Sequence, residues 1–386
     1  MVLHGGGPTA VLNASLAGVV EACRAEPSVT ALYGAEHGAA GLLEESLIDL
    51  YAEDPPAWDR IARMPGSVLG STRRKVGAED YARMLDIFAR YGVRFVLANG
   101  GNGTMQMADE LGKAAEASGS GLRVIGIPKT IDNDLFGTDH TPGYGSAARF
   151  FASALRDIGA DNLALPGVTF VEILGRNAGW LAAACSLART REDDAPHLIY
   201  FPERRLPFER ILADVEAVYR RLGRVVVAVC EGQLNEKGEP FGADVRTSSR
   251  APLALNLAHV LAQRTAAALK ISARSEKPGL LGRSCSALAS GIDRNEARMC
   301  GRAAVEACVS GETRRMVTLI REEGPAYSCR CGSIAIGEVA GRERLLPEEW
   351  IPAEASADLP EFRAWARPLI GDLETRVVLR RVRIVR

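Results

Sequence analysis

Short apolar runs alternate with longer mixed stretches along this chain. Five runs, at 94–98 (RFVLA), 123–127 (RVIGI), 167–173 (GVTFVEI), 197–201 (HLIYF) and 224–230 (RVVVAVC), are rich in β-branched residues and lack the every-other-residue alternation of a half-exposed strand. Such runs predict strands covered on both faces. A stub of one more strand, 1–4, stands before the first glycines. Between the runs, the stretches 13–25, 78–91, 105–117, 146–158, 178–188 and 207–222 predict helices. Strand–helix–strand repetition implies parallel sheets with covering helices, an α/β architecture.

Folds of this kind bind ligands at the carboxyl ends of their strands, so the residues that follow each run matter. After the opening stub comes Gly5-Gly6-Gly7-Pro8-Thr9. After Ala98 comes Asn99-Gly100-Gly101-Asn102-Gly103-Thr104, and after Ile127 comes Pro128-Lys129-Thr130-Ile131-Asp132-Asn133-Asp134. Leu174-Gly175-Arg176-Asn177 follows Ile173, and Glu231-Gly232 follows Cys230. Glycines, amides and charges therefore recur on one edge, strand after strand, which describes a site rather than a set of unrelated turns.

The chain has 386 residues, 47% of them hydrophobic and 25% charged, enough for two domains with sizeable cores. Its formal net charge of −1 supplies no overall field for nucleic acid or a membrane surface, so any anion must be met by a local cluster of basic groups. No run approaches the roughly 20 apolar residues of a membrane span, and no basic-then-apolar leader is present; the expectation is a cytoplasmic protein. None of the eight cysteines forms a C-x-x-C pair, and Cys329-Arg330-Cys331 is too closely spaced for a zinc clamp, which predicts buried free thiols. The chain is expected to cross between domains near 142–146 and to return near 279–290. The tail 376–386 mixes apolar and basic residues and reads as a late strand on a sheet edge.

Glycine-rich turns before helices let backbone N–H groups approach an anion, with the helix N-terminus adding partial positive charge. Neither turn here fits GxxxxGK[ST], and neither fits GxGxxG well. In the third turn, Lys129 offers a compact cation for phosphate and Thr130 a hydroxyl donor. Asp132 and Asp134 fall on one side if the segment is extended. One carboxylate then acts as general base for a hydroxyl while the other holds Mg2+, a workable arrangement for phosphoryl transfer. Arg73, Arg176, Arg274 and Arg283 are candidate phosphate donors.

The segments GGGPTAVLNASLAGVV, GSTRRK, ANGGNGTMQMADEL, GIPKTIDNDLFGTDHTPGYGSAARF, VEILGRNAGWLAAACSLA, IYFPE, VVVAVCEGQ and GLLGRS followed by GIDRNEARMCGRAAVEACVSGE together resemble the phosphofructokinase family, in order, with little of the likeness beyond residue 320. The resemblance implies two Rossmann-like three-layer α/β/α domains with the active site in the cleft between them. A donor-binding domain would comprise 1–143 plus about 283–320, and a fructose 6-phosphate-binding domain 144–282. The segment 321–386 is an extension without assignment. By the same resemblance Asp132 accepts the proton of the sugar 1-hydroxyl, Asp134 is the neighbouring acid, and Thr130 contacts substrate and transferred phosphate. Leu174-Gly175-Arg176 stands where the family usually has Met-Gly-Arg. Glu231 matches a glutamate that binds sugar hydroxyls, Arg283 the substrate-phosphate arginine, and Arg274 a position where another often lies. Gly6, Arg73, Gly101, Asn102, Gly103 and Thr104 fall on the donor side.

The implied cofactor is Mg2+, held at Asn102 or Asp132, although ATP-using members carry Asp where Asn102 stands. The implied donor is diphosphate: ATP-using members read P-G-T-I-D-N-D, whereas Lys129 fills the room of a nucleotide α-phosphate. Gly103 leaves space for ATP, and Gly167 occupies the approximate place of an arginine given by a neighbouring subunit. The expected partners are fructose 6-phosphate and diphosphate or ATP, with no nucleic acid and no membrane, in a homodimer or homotetramer. The readings that stay open are an ATP-dependent enzyme, another acceptor such as sedoheptulose 7-phosphate or an inositol, and a non-catalytic sensor of sugar phosphates or nucleotides.

Overall fold

A computed structural model of the chain describes residues 1–241, 245–247, 252–254, 256–375 and 377. Its strands are β1 (Val2–His4), β2 (Tyr33–Ala35), β3 (Leu47–Asp49), β4 (Phe95–Gly100), β5 (Arg123–Pro128), β6 (Val168–Ile173), β7 (Leu198–Tyr200), β8 (Val225–Cys230), β9 (Val245–Thr247), β10 (Pro252–Ala254), β11 (Ala273–Glu276), β12 (Arg315–Arg321) and β13 (Cys329–Ala335). They form a seven-stranded sheet ordered β13-β12-β5-β4-β1-β2-β3, a four-stranded sheet ordered β11-β6-β8-β7, and a separate β9–β10 hairpin. The four-stranded sheet is wholly parallel. The larger one is parallel from β2 to β12 and antiparallel at both edges.

The five predicted strands are all present. Every residue of β6 and β8 is buried, as runs without alternation require of strands covered on both faces. The helix Phe208–Leu222 turns Phe208, Ile211 and Val215 inward at helical spacing and its charged residues outward. Boundaries differ where glycine hides the element. β4 runs on through Asn99 and Gly100, which pair with Ile127 and Pro128 of β5. The next helix starts at Asn102 rather than 105, with Gly101 at its N-cap, so the glycine turn is itself the first helical turn. The stretch 178–188 resolves into a short helix, Trp180–Ala184, and a tighter 3₁₀ turn, Cys185–Ala188, all buried.

The chain leaves the larger sheet after β5, enters the smaller through the helix Tyr144–Ala164, and returns after β11 through the helix Gly291–Val309 to β12. Past β13 it does not stay with one sheet. Leu346, Ile351, Phe362, Leu369 and Ile370 join the core built on Val171, Ile173, Val226 and Ala228 of the smaller sheet. The expected strand at 376–386 lies, apart from Val377, outside the described residues. All eight cysteines are free; five are buried, whereas Cys329 and Cys331 are only half-buried because β13 is the outer strand of its sheet, and Cys285 is half-buried at the end of the short helix Leu281–Ser284.

Candidate active site

The glycine turn after β1 is braced on both sides. Gly5 N–H donates to Asn99 O and Gly6 N–H to Thr72 O, each at 3.0 Å, and Ser71 Oγ donates to Gly6 O. Into this turn reaches Lys129, whose Nζ donates to Gly5 O at 2.9 Å and Gly7 O at 2.7 Å. Gly6 has φ +79°, and a Cβ there would come 3.4 Å from Lys129 Nζ. At Gly7 a Cβ would lie 2.8 Å from Arg283 Nη1 and 3.7 Å from Arg73 Nη2, so both guanidiniums converge on the same turn. Lys129 is 2% exposed. Burial lowers its pKa to about 8; Arg283 and Arg73 add to that effect, while Asp132 and Asp134 oppose it.

The carboxylate loop is not extended. Asn133 takes a left-handed conformation, φ +54°, and its Oδ1 accepts from Thr141 N–H at 3.0 Å. The same-side argument for Asp132 and Asp134 therefore fails, and the two carboxylates take different surroundings. Asp134 is buried, and Asn102 Nδ2 donates to its Oδ2 at 3.0 Å and to its backbone oxygen at 3.3 Å. Asp132 is half-buried and within electrostatic reach of Lys129 and Arg283. Its N–H donates to Thr130 Oγ1 at 3.1 Å, so that hydroxyl is oriented by the loop. The Thr104 side chain packs against Gly5 and Gly100 and closes the floor of the turn; Gly103 is exposed.

Two further charges follow strands of the smaller sheet, Arg176 after β6 and Glu231 after β8. Leu174, Gly175 and Arg176 follow β6, and Gly175 and Arg176 take φ of +137° and +44°. Glu231 follows β8; burial raises its pKa, and Arg176 pulls it back. Arg283 lies among Arg73, Asp132, Glu231 and Arg176: burial and the two arginines lower its pKa, and the two carboxylates raise it. Residues far apart in sequence thus meet around one guanidinium. Arg274 does not. It pairs with Thr169 near the start of β6, at the opposite end from Arg176, and is exposed with Asp161 at 3.9 Å.

Two buried networks behind this cluster were not foreseen from the sequence. Asp293 accepts from Gly143 N–H, Ser146 N–H and Ser146 Oγ, all within 2.8 Å, and so caps the helix Tyr144–Ala164 from another helix. His140 bonds Asp139 and Glu296, both at 2.7 Å, just past the carboxylate loop. Only the bare residue types were available as a signal for either, because Asp293 and Glu296 lie more than 140 residues from the groups they bond. Among the described residues no three His, Cys, Asp or Glu side chains gather closely enough to hold a metal by themselves. Asn102 Oδ1, however, is buried with no hydrogen-bond partner, at the head of a helix beside Asp134.

The phosphofructokinase family profile matches residues 1–308. Over 96% of its length the chain is 37% identical to the pyrophosphate–fructose 6-phosphate 1-phosphotransferase of Rhodospirillum rubrum, covering 94% of that protein. It is 35% identical to the enzyme of the same name from Xanthomonas campestris, over 95% of this chain and 90% of that one. The crystal structure of a pyrophosphate-dependent phosphofructokinase from Marinobacter aquaeolei superposes with a TM-score of 0.88 at 30% identity, covering 98% of this chain and 92% of that one. The profile runs through every residue of the cluster described above, and the chain belongs to the phosphofructokinase family.

Proposed function

We propose that the protein transfers a phosphoryl group from diphosphate to the 1-hydroxyl of fructose 6-phosphate, giving fructose 1,6-bisphosphate and phosphate. The observation that carries this reading is the Lys129 ammonium inside the first glycine turn, bonded to Gly5 O and Gly7 O. A charge fixed there suits a compact, highly charged inorganic anion and takes up room along the donor path. Gly6, Gly101, Asn102, Gly103, Thr104 and Arg73 line the donor side. Arg176, Glu231 and Arg283, with Leu174 and Gly175 shaping the turn, take the sugar phosphate. The two sheets support a donor domain of 1–143 plus about 283–320 and a sugar domain of 144–282, with the described residues after 320 packing against both.

In this arrangement Asp132 accepts the proton of the 1-hydroxyl as its oxygen attacks the terminal phosphorus of diphosphate, and phosphate leaves toward Lys129 and the glycine turn. Thr130 donates to the group in flight, and Arg73 and Arg283 offset its charge. Because a phosphoanhydride is exchanged for an ester and phosphate, the reaction runs in both directions. The residues fit Mg2+ carried on the diphosphate, since that ion needs only one or two protein oxygens beside phosphate oxygens. Asp132 and the unpartnered Asn102 Oδ1 would hold it, and it supplies further charge neutralisation. Arg274 would meet a substrate only across an interface between copies, in keeping with a homodimer or homotetramer. Among the described residues no helix is long and apolar enough to cross a membrane, and we take the enzyme to be cytoplasmic.

Exposed Gly103 supports ATP as the alternative donor. A donor-by-acceptor matrix with Mg2+, using diphosphate and ATP against fructose 6-phosphate, sedoheptulose 7-phosphate and inositol, separates these readings. Turnover with diphosphate and fructose 6-phosphate is expected; turnover with ATP alone rejects the donor, and preference for an unphosphorylated polyol rejects the acceptor.

A further inference from the structure

The carboxylate loop is held from outside by a segment that lies beyond the family match, which ends at residue 308. After β13 the chain turns back across the loop, and Glu343 forms an antiparallel bridge with Leu135. Arg344 N–H donates to Asp134 O at 2.9 Å. Arg344 Nη1 donates to Asp139 O at 2.6 Å. Both ends of the stretch from Asp134 to Asp139 are thereby fixed by one residue. Arg342 covers the middle, its guanidinium 3.6 Å from the centre of the Phe136 ring.

The same segment grips the loop that follows β6. Asn177 Nδ2, next to Arg176, donates to Glu343 Oε2 at 3.1 Å. The Arg344 guanidinium stacks 4.2 Å above the Trp180 ring, and Trp180 Nε1 donates to Arg344 O at 3.1 Å. Two residues on, Leu346 N–H donates to Glu203 Oε1, which also accepts from Gly179 N–H. Glu343 thus touches both the loop bearing Asp132 and the loop bearing Arg176, and Arg344 touches the first loop and the helix Trp180–Ala184 that directly follows the second. Arg344 is enclosed among these groups: burial lowers its pKa to about 10, and the nearby Asp139 opposes that fall.

We infer that Glu343 and Arg344 form a positioning strap that sets the approach of the Asp132 carboxylate to the sugar phosphate bound by Arg176. Neither side chain touches the reacting atoms; both act through backbone and loop geometry. The role rests on the transfer reaction proposed above, because it concerns the alignment of base and acceptor. Small errors of alignment cost more in turnover than in binding.

The test uses the full-length protein with Arg344→Lys and Glu343→Ala. Lysine keeps a cation near Asp139 O but loses the planar stack on Trp180; Glu343 is exposed, so its truncation leaves the core intact. In Arg344→Lys, kcat with diphosphate and fructose 6-phosphate should fall about tenfold with both KM values within about twofold. In Glu343→Ala the KM for fructose 6-phosphate should rise several-fold, because the Arg176–Asn177 turn loosens. Amide hydrogen exchange over 131–141 should quicken in both variants. If Arg344→Lys does not fold, Glu343→Ala carries the test alone. Wild-type protection of 131–141 in the variants overturns the strap whatever the activity. So does wild-type kcat in a folded Arg344→Lys, or wild-type KM in Glu343→Ala. A wild-type enzyme that ignores diphosphate, yet shows quickened exchange in the variants, overturns the reaction assignment and keeps the strap as a clamp on the loop.

Discussion

Lys129 combines two properties that rarely coincide: it is fully enclosed, yet its ammonium is satisfied by the two carbonyls of a glycine turn. Replacing it by glycine should lower kcat/KM for diphosphate by about a hundredfold, the usual effect of losing one fixed donor at a transferring group. KM for fructose 6-phosphate should change far less, and initial rates against each substrate check this. The folded-state pKa of about 8 also makes a pH prediction. In the proposed role the charged form binds the anion, so kcat/KM for diphosphate should be full below that value and decline as pH rises through it. The decline should vanish in Lys129→Arg, provided that variant still turns over. Asn102 is informative for a different reason. Its amide nitrogen is committed to Asp134 while its oxygen has no partner. A carboxylate in its place, Asn102→Asp, would face Asp134 directly, and we expect a lower Mg2+ requirement but poorer stability, read from Mg2+ titration of the rate and from thermal melting.

At the scale of elements, the loop from Thr130 to Gly143 is shaped by partners on other parts of the chain. His140 stands between Asp139 and Glu296. Burial disfavours its charge, but hydrogen bonds to the two carboxylates prevail and raise its pKa from 6.5 to about 9. A raised histidine pKa means that protonation favours the folded state. The contribution is therefore complete below about pH 6.5 and is lost as pH rises through about 9. Melting temperature should fall across that window in the wild type and be flatter in His140→Gln; equal slopes would remove this interpretation. The carboxylate of Asp139, with Arg321 and Trp365 as further partners, has its pKa pushed the other way. Its share is present above the ordinary carboxylate range and lost on acidification. Asp293 makes an element of a second kind, a helix cap supplied from a distance. Asp293→Ala strands two backbone N–H groups and the Ser146 hydroxyl in the interior, a loss of about 3 kcal/mol, measurable by denaturant unfolding.

Over the whole molecule, the segment after residue 320 holds the other parts together. It adds the edge strand β13, crosses the carboxylate loop, and then seals the core over the smaller sheet with a cluster that includes Trp350, Phe362 and Trp365 around Trp180. A chain ended at residue 340 uncovers that core. At about 1.5–3 kcal/mol for each large side chain, the loss matches the whole stability margin of an ordinary domain, about 5–15 kcal/mol. We expect such a chain to be insoluble or to melt without cooperativity, in calorimetry of whatever fraction stays in solution. Five of the parallel strands, β4 to β8, were legible because a buried strand needs an unbroken apolar run, and β6 and β8 have little else. The turns were legible because glycines and charges interrupt the chain at the end of each apolar run, but the single edge expected from the sequence is divided between two sheets, three turns on the larger and two on the smaller. The edge strands β11 and β13 were not: they read ARSE and CRCGSIA, with partners on one side only and no fixed pattern to obey. Nor did residue order reveal that Asp132 and Asp134 part company: asparagine tolerates the left-handed conformation, but the bond from Thr141 N–H that holds the Asn133 side chain comes from eight residues away. Sequence alone determined the sheet class and the residues at each strand's end, since these depend on local periodicity and composition. The meeting of Arg283, Asp132, Glu231 and Arg176, the separation of Arg274 from them, and the strap across the loop were decided by tertiary structure, because contacts between distant segments depend on how two sheets pack and leave no local pattern behind.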